Sequence, residues 1–245
     1  MRTGVRCRCH DEAVPPEPPD AAPHHGAGPR PHDGWGVTAG LYRRQEPLQR
    51  SSVAAMLRML APLPGEVVLD LGAGTGLIER ALTECSGVEP GLIRVAAVEP
   101  SPGMLRVGDY AGRPVVRADA VRLPVATASV DVVTASWLLH VLSPSDRAAA
   151  VAEAARVLRP GGRLGIVVSA APRTVVQHVL RGAARRVAER RGLGAFHVPV
   201  DLPGLLTAAG LQVQHRARTT RGYLADVVVC TRAAHRDDAA AGIEA

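Results

Sequence analysis

The sequence predicts a doubly wound α/β fold, a mostly parallel sheet that ends in an antiparallel strand pair. Three observations carry this prediction. Short β-branched runs alternate with helical-period segments between residues 48 and 170, a glycine-rich turn follows the first run, and the last two strand-like runs are separated by a few residues around Gly222. Repeated strand–helix alternation needs crossover connections to parallel neighbours, with helices on both faces of the sheet. Two runs joined by a short turn must pair antiparallel.

The elements follow in order. LQRSSVAAMLRML (48–60) has apolar residues at helical spacing, and EVVLDLG (66–72) is a β-branched run that ends in glycine. LIERALTEC (77–85) reads as a helix and IRVAAVEP (93–100) as a buried strand. SPGMLRVGDY (101–110) is a helix opened by Ser101 and Pro102. PVVRADA (114–120) and VDVVTAS (130–136) are strands. SPSDRAAAVAEAARVL (143–158) is a helix that stops at Pro160-Gly161-Gly162, and RLGIVVSA (163–170) is the strand after it. The C-terminal part reads as a long helix (173–191), a loop with Phe196 and His197, a short helix (201–210), and the strands LQVQHRARTT and LADVVVCTR.

Residues 1–34 are Pro, Gly, His and acid-rich with few large apolar side chains, so they read as a disordered tail. The domain is expected over 35–234, with a flexible C-terminus at 235–245. No apolar stretch approaches about 18 residues, the length needed to span a bilayer, and the N-terminus lacks the apolar run of a secretory signal. The sequence is thus read as soluble and cytoplasmic, without a membrane partner. The cysteines at 7, 9, 85 and 230 form no even framework and are read as free thiols. Cys7, Cys9 and His10 lack a fourth ligand, so no metal is expected. The net charge is +6, carried on arginine with no lysine at all. The densest group, Arg181, Arg185, Arg186, Arg190 and Arg191 around Glu189, reads as a solvated helix face rather than a nucleic-acid patch.

The chemistry concentrates at Val67-Val68-Leu69-Asp70-Leu71-Gly72-Ala73-Gly74-Thr75-Gly76, a strand that runs through three alternating glycines into a helix. Glycines there let the backbone turn sharply and approach a ligand, and a helix N-terminus offers amides. Asp70 precedes the first glycine, and Glu99 ends the next strand. A dinucleotide fingerprint, G-x-G-x-x-G, would need glycine where Leu77 stands.

The G-x-G-x-G form with its preceding Asp resembles motif I of the class I S-adenosylmethionine-dependent methyltransferases, which have a Rossmann-like fold. The resemblance extends from about Tyr42 to Arg232, through VEPSPGML, RADA and RVLRPGGRL, and is nearest in flavour to the small ubiquinone/menaquinone-biosynthesis group. It implies S-adenosyl-L-methionine as cofactor. It also implies Glu99 on the ribose hydroxyls, Pro100 beside it, Met104 by the adenine and Asp119-Ala120 at the adenine edge. Asp70, Gly72, Ala73, Gly74, Gly76 and Ser136 complete the cofactor set, with Asp70 equally open to a purely structural role in the turn.

A methyl acceptor should lie beyond the carboxyl ends of the strands. Trp35, Tyr42, Trp137 and Phe196 are the expected acceptor-pocket residues, although a Trp beside two leucines also suits packing. His140 is the candidate general base and His197 the reserve, because only histidine is naturally poised near neutral pH. The Asn/Asp-Pro-Pro-aromatic motif of enzymes that methylate nucleobase or glutamine amino groups is replaced by Thr134-Ala135-Ser136-Trp137, which favours a small-molecule acceptor. The competing readings are a noncatalytic cofactor-binding subunit and a nicotinamide-dependent oxidoreductase.

Overall fold

The computed structural model describes residues 34–85, 92–190 and 200–233, all within the unit His32–Ala245. The expected tail up to residue 33, the C-terminal segment 235–245, the Cys7/Cys9/His10 group, and Phe196 with His197 lie outside the described residues.

Seven strands form one sheet: β1 (Val67–Leu71), β2 (Arg94–Val98), β3 (Val115–Val116), β4 (Val130–Ser136), β5 (Leu158–Ser169), β6 (Leu211–Thr219) and β7 (Ala225–Arg232). Their order is β3-β2-β1-β4-β5-β7-β6. The first five run parallel, while β7 lies antiparallel between β5 and β6. This is the expected architecture. The strand order reverses between β1 and β4, which opens a crevice at the carboxyl ends where such sheets bind ligands.

The helices are α1 (Gly34–Leu60), α2 (Leu77–Cys85), α3 (Pro102–Val107), α4 (Pro144–Val157), α5 (Val175–Arg190) and α6 (Leu202–Ala208). Ser101 caps α3 by accepting from the Met104 amide, and Ser143 caps α4 by accepting from the Asp146 amide. In both, proline takes the first helical position, where its missing N–H costs nothing. On one face of the sheet, Val53, Met56, Leu57 and Leu60 of α1 join Leu77, Ile78 and Leu82 of α2 over Val68, Val132, Val167 and Val227. On the other, Ala150, Val151 and Ala154 of α4 and Leu202 and Leu206 of α6 cover Leu69, Val133, Ile166 and Val228.

Three elements differ from the sequence reading. α1 begins at Gly34 instead of Leu48 and carries Pro47 inside it. Proline in a helix interior costs about 3 kcal/mol, but Glu46 and Gln49 on either side are both buried, so packing overrides the local preference. β3 pairs over Val115–Val116 only, and the rest of that run closes in an isolated antiparallel bridge between Asp119 and Arg122. Pro160-Gly161-Gly162 does not precede β5 but sits within it. The register jumps from Val130↔Leu158 to Val132↔Arg163, making a bulge that Gly161 accommodates at a φ of 76°.

Candidate functional site

β1 ends at Leu71, and the chain turns through residues 72–76 into α2 at the switch point. The Gly72 and Ala73 amides both donate to the Val98 carbonyl, at 2.9 and 3.1 Å, and tie the turn to the end of β2. Gly76 has a φ of 83°, and a Cβ there would lie 2.1 Å from the Asp109 carbonyl oxygen. Only glycine fits. A Cβ on Gly74 would lie 3.8 Å from Tyr42 Cε1, an ordinary van der Waals contact, so the loop packs against α1 at this point.

Glu99 follows β2 and is buried. Its Oε2 accepts from the Gly74 amide and its Oε1 from the Ser101 amide, each at 2.8 Å. The glycine turn and the start of α3 thereby hold this carboxylate in one orientation.

Asp70 is buried inside the sheet, where its Oδ1 accepts from the Thr134 hydroxyl at 2.5 Å. This bond ties β1 to β4. Burial holds the Asp70 carboxyl well above the usual carboxylate range, and the charges of Glu79 and Glu99 add to that effect. Glu79 of α2 is fully buried, and desolvation pushes its carboxyl up to about 7.

The N-terminal helix closes over the loop. Glu46 accepts from the Thr75 hydroxyl at 2.5 Å and from Arg80 at 2.7 Å, while Arg80 also donates to the carbonyls of Thr75 and Asp109, both at 2.7 Å. Arg43 reaches the Val107 carbonyl at 3.3 Å, and the Tyr110 hydroxyl donates to the Gly74 carbonyl at 2.7 Å. Burial pushes the Tyr42 phenol up to about 12. Glu46, Thr75, Glu79, Arg80 and Tyr110 were absent from the sequence-level candidates. The available clue was charge in an apolar context: Glu79 and Arg80 interrupt Leu77-Ile78 and Ala81-Leu82.

Other candidates fall around the same edge. Met104 is buried on α3, and Pro100 is half-buried between Glu99 and the Ser101 cap. Asp119 follows β3 and accepts from the Val121 amide at 3.2 Å; Ala120 is buried in the core. Tyr42 lies beside Gly74. Trp35 lies in α1, and its side chain is outside the described residues. Trp137 adopts a φ of 57°, strained for a bulky residue. It is buried, with ring centroids 5.6 Å from both His140 and Tyr223 in edge-on geometry. His140 is likewise buried, in a 3-10 turn over Leu139–Val141.

At the end of β4, Ser136 Oγ and Trp137 Nε1 are buried without a hydrogen-bond partner among the described residues. Such orphans are uncommon and call for an explanation. With the Glu99 carboxylate fixed at the end of β2, they suit a ligand that brings polar groups to both β2 and β4. A ribose-bearing, amino-acid-bearing cofactor meets that donor set.

The fold and this loop define a doubly wound α/β domain with a glycine-rich turn at its switch point. Residues 69–166 match the model of the methyltransferase domain family. A demethylmenaquinone methyltransferase of Corynebacterium kroppenstedtii is 36% identical over 118 residues, 48% of each chain. An uncharacterized methyltransferase of Mycobacterium bovis is 41% identical over 135 residues, 54% of this chain and 51% of that one. The chain thus spans about half the length of the curated relatives it matches. Among solved structures, a 1,6-didemethyltoxoflavin-N1-methyltransferase of Burkholderia thailandensis, with its acceptor and S-adenosylhomocysteine bound, superposes with a TM-score of 0.56. It is 20% identical, over 86% of this chain and 94% of that one. An S-adenosylmethionine-dependent methyltransferase of Aquifex aeolicus gives a TM-score of 0.57 at 17% identity, over 80% and 98%. These two likenesses show the fold.

Proposed function

We propose that this protein binds S-adenosyl-L-methionine across the carboxyl ends of β1, β2 and β4 and transfers its methyl group to a small-molecule acceptor in the cytoplasm. The observation that carries the reading is the buried Glu99 carboxylate, fixed at the end of β2 by the Gly74 and Ser101 amides. In this reading that carboxylate accepts from the vicinal ribose hydroxyls, and Asp119 and Met104 bracket the adenine. Ser136 Oγ serves the amino-acid end. When bound, the cofactor supplies an activated methyl group on a sulfonium. The protein's own task is alignment, which contributes roughly 7 to 11 kcal/mol when the attacking atom is held in line.

Trp137 and His140 form the acceptor-side wall after β4, with His140 to take or hold the acceptor's proton where that group carries one. Support for a ring-shaped acceptor comes from the relatives: one is named for demethylmenaquinone, another for 1,6-didemethyltoxoflavin. Among the described residues, no helix is long and apolar enough to cross a membrane. The test is mass-spectrometric detection of a product heavier by one methyl group when the protein and S-adenosylmethionine meet a panel of hydroxylated quinones and nitrogen heterocycles. Methylation of a panel member supports the reading. Cofactor binding with no methylated product across the panel would reassign the protein as a noncatalytic binding subunit.

A further inference from the structure

Away from the glycine loop, a cavity of about 410 Å³ opens where β5, β6 and β7 meet the start of α6. This volume lies in the range of small-molecule sites. Val168, Val200, Leu202 and Val228 give it apolar walls, and Arg173 and Arg216 stand at its exposed rim. Arg216 pairs in register with Val228, so its side chain rises from the same face as that apolar floor. A third arginine, Arg218, is already neutralised: its Nε and Nη2 donate to the two oxygens of Asp226 at 2.7 and 2.9 Å. Among the described residues, Asp226 is the one carboxylate in the lining, and Arg218 engages both its oxygens. Arg173 and Arg216 therefore present two guanidinium charges, and neither forms an ion pair among the described residues.

We infer that this cavity is a second small-molecule site, one that takes an organic anion with an apolar body, its carboxylate held by Arg173 and Arg216. Guanidinium groups pair with carboxylates through parallel hydrogen bonds that a neutral amide does not reproduce. The apolar walls add affinity that a bare anion does not gain. Both halves of the ligand are therefore required. The inference is independent of the cofactor site, because no residue of the glycine loop, Glu99 or the Ser136–His140 segment lines the cavity.

The experiment is titration of the full chain, at low salt, with sodium octanoate, octanamide and inorganic phosphate, followed by calorimetry. Octanoate should bind saturably, at least tenfold tighter than octanamide or phosphate. Arg216→Gln should weaken octanoate about tenfold and Arg216→Glu more, with Arg173→Gln acting in the same direction. Both positions are exposed, so the variants should keep the wild-type melting curve and affinity for S-adenosylhomocysteine. Absence of saturable octanoate binding, equal affinity for octanoate and octanamide, or unchanged octanoate affinity in folded arginine variants would each overturn the inference.

Discussion

Glu46 of α1 and Arg80 of α2 form an ion pair at 2.7 Å, and the same Glu46 carboxylate takes the Thr75 hydroxyl of the glycine loop at 2.5 Å. Both side chains are largely buried, at 10% and 16% exposure. Hydrogen bonds to charged groups in such settings contribute roughly 1.5 to 3 kcal/mol, so this pair couples the docking of α1 to the shape of the loop.

Glu46→Ala should therefore lower stability by about 2 to 3 kcal/mol and weaken S-adenosylhomocysteine binding about tenfold. Glu46→Gln, which can still accept from Thr75, should lose less. Chemical denaturation and calorimetry read both effects. Wild-type cofactor affinity in a folded Glu46→Ala protein would separate α1 from the site.

Gly76 and Gly112 both have positive φ, 83° and 73°, but a Cβ meets the Asp109 carbonyl at 2.1 Å only at the first. Gly112→Ala should cost about 1 kcal/mol, from backbone strain alone. Gly76→Ala should cost at least about 3 kcal/mol and abolish cofactor binding, because the loop must move to admit the methyl group. Equal costs in urea denaturation would show that the close approach is not what demands Gly76.

Burial raises the Glu79 carboxyl from 4.5 to about 7. Between these values the folded state holds a proton that the unfolded state has released, so stability falls as pH rises through that window. Asp70 shifts in the same direction and adds to the slope. Glu79→Gln should flatten the decline between about pH 4.5 and 7, leaving a weaker slope from Asp70. The denaturation midpoint measured across that range reads it, and an unchanged slope would mean that Glu79 keeps its ordinary acidity.

His140→Ala should reduce single-turnover methyl transfer about 10²-fold and remove the acid limb of the pH profile, with cofactor affinity unchanged. Trp137→Phe, which keeps the ring against His140 and Tyr223 but deletes Nε1–H, should raise the acceptor KM more than it lowers kcat. Equal rates across the pH range in wild type and His140→Ala would take His140 out of the mechanism.

Much of the fold was legible because periodicity is local. The boundaries of β1, α2 and β4 follow from β-branched runs, glycine and helical spacing within Val67–Ser136. Pro47 hid the first half of the long helix, since its local effect points to a break and only the buried Glu46 and Gln49 reveal why the helix continues. The glycine loop was legible for the same local reason, as its three glycines follow β1 directly. The clamp built from Glu46, Thr75 and Arg80 was not, because its partners lie 29 and 34 residues apart and meet only after α1 folds across α2. Asp70 illustrates the same limit: its partner, Thr134, is 64 residues away on β4.

The most direct test of the account is calorimetric titration of wild type and Glu99→Ala with S-adenosylmethionine, S-adenosylhomocysteine and NAD. The wild type should bind both adenosyl ligands and not NAD. Glu99→Ala, with an unchanged melting profile, should bind them about one to two powers of ten more weakly, the loss expected for hydrogen bonds from two hydroxyls to a buried charge. Preferential binding of NAD, or undiminished affinity for S-adenosylmethionine in the folded Glu99→Ala protein, would contradict it.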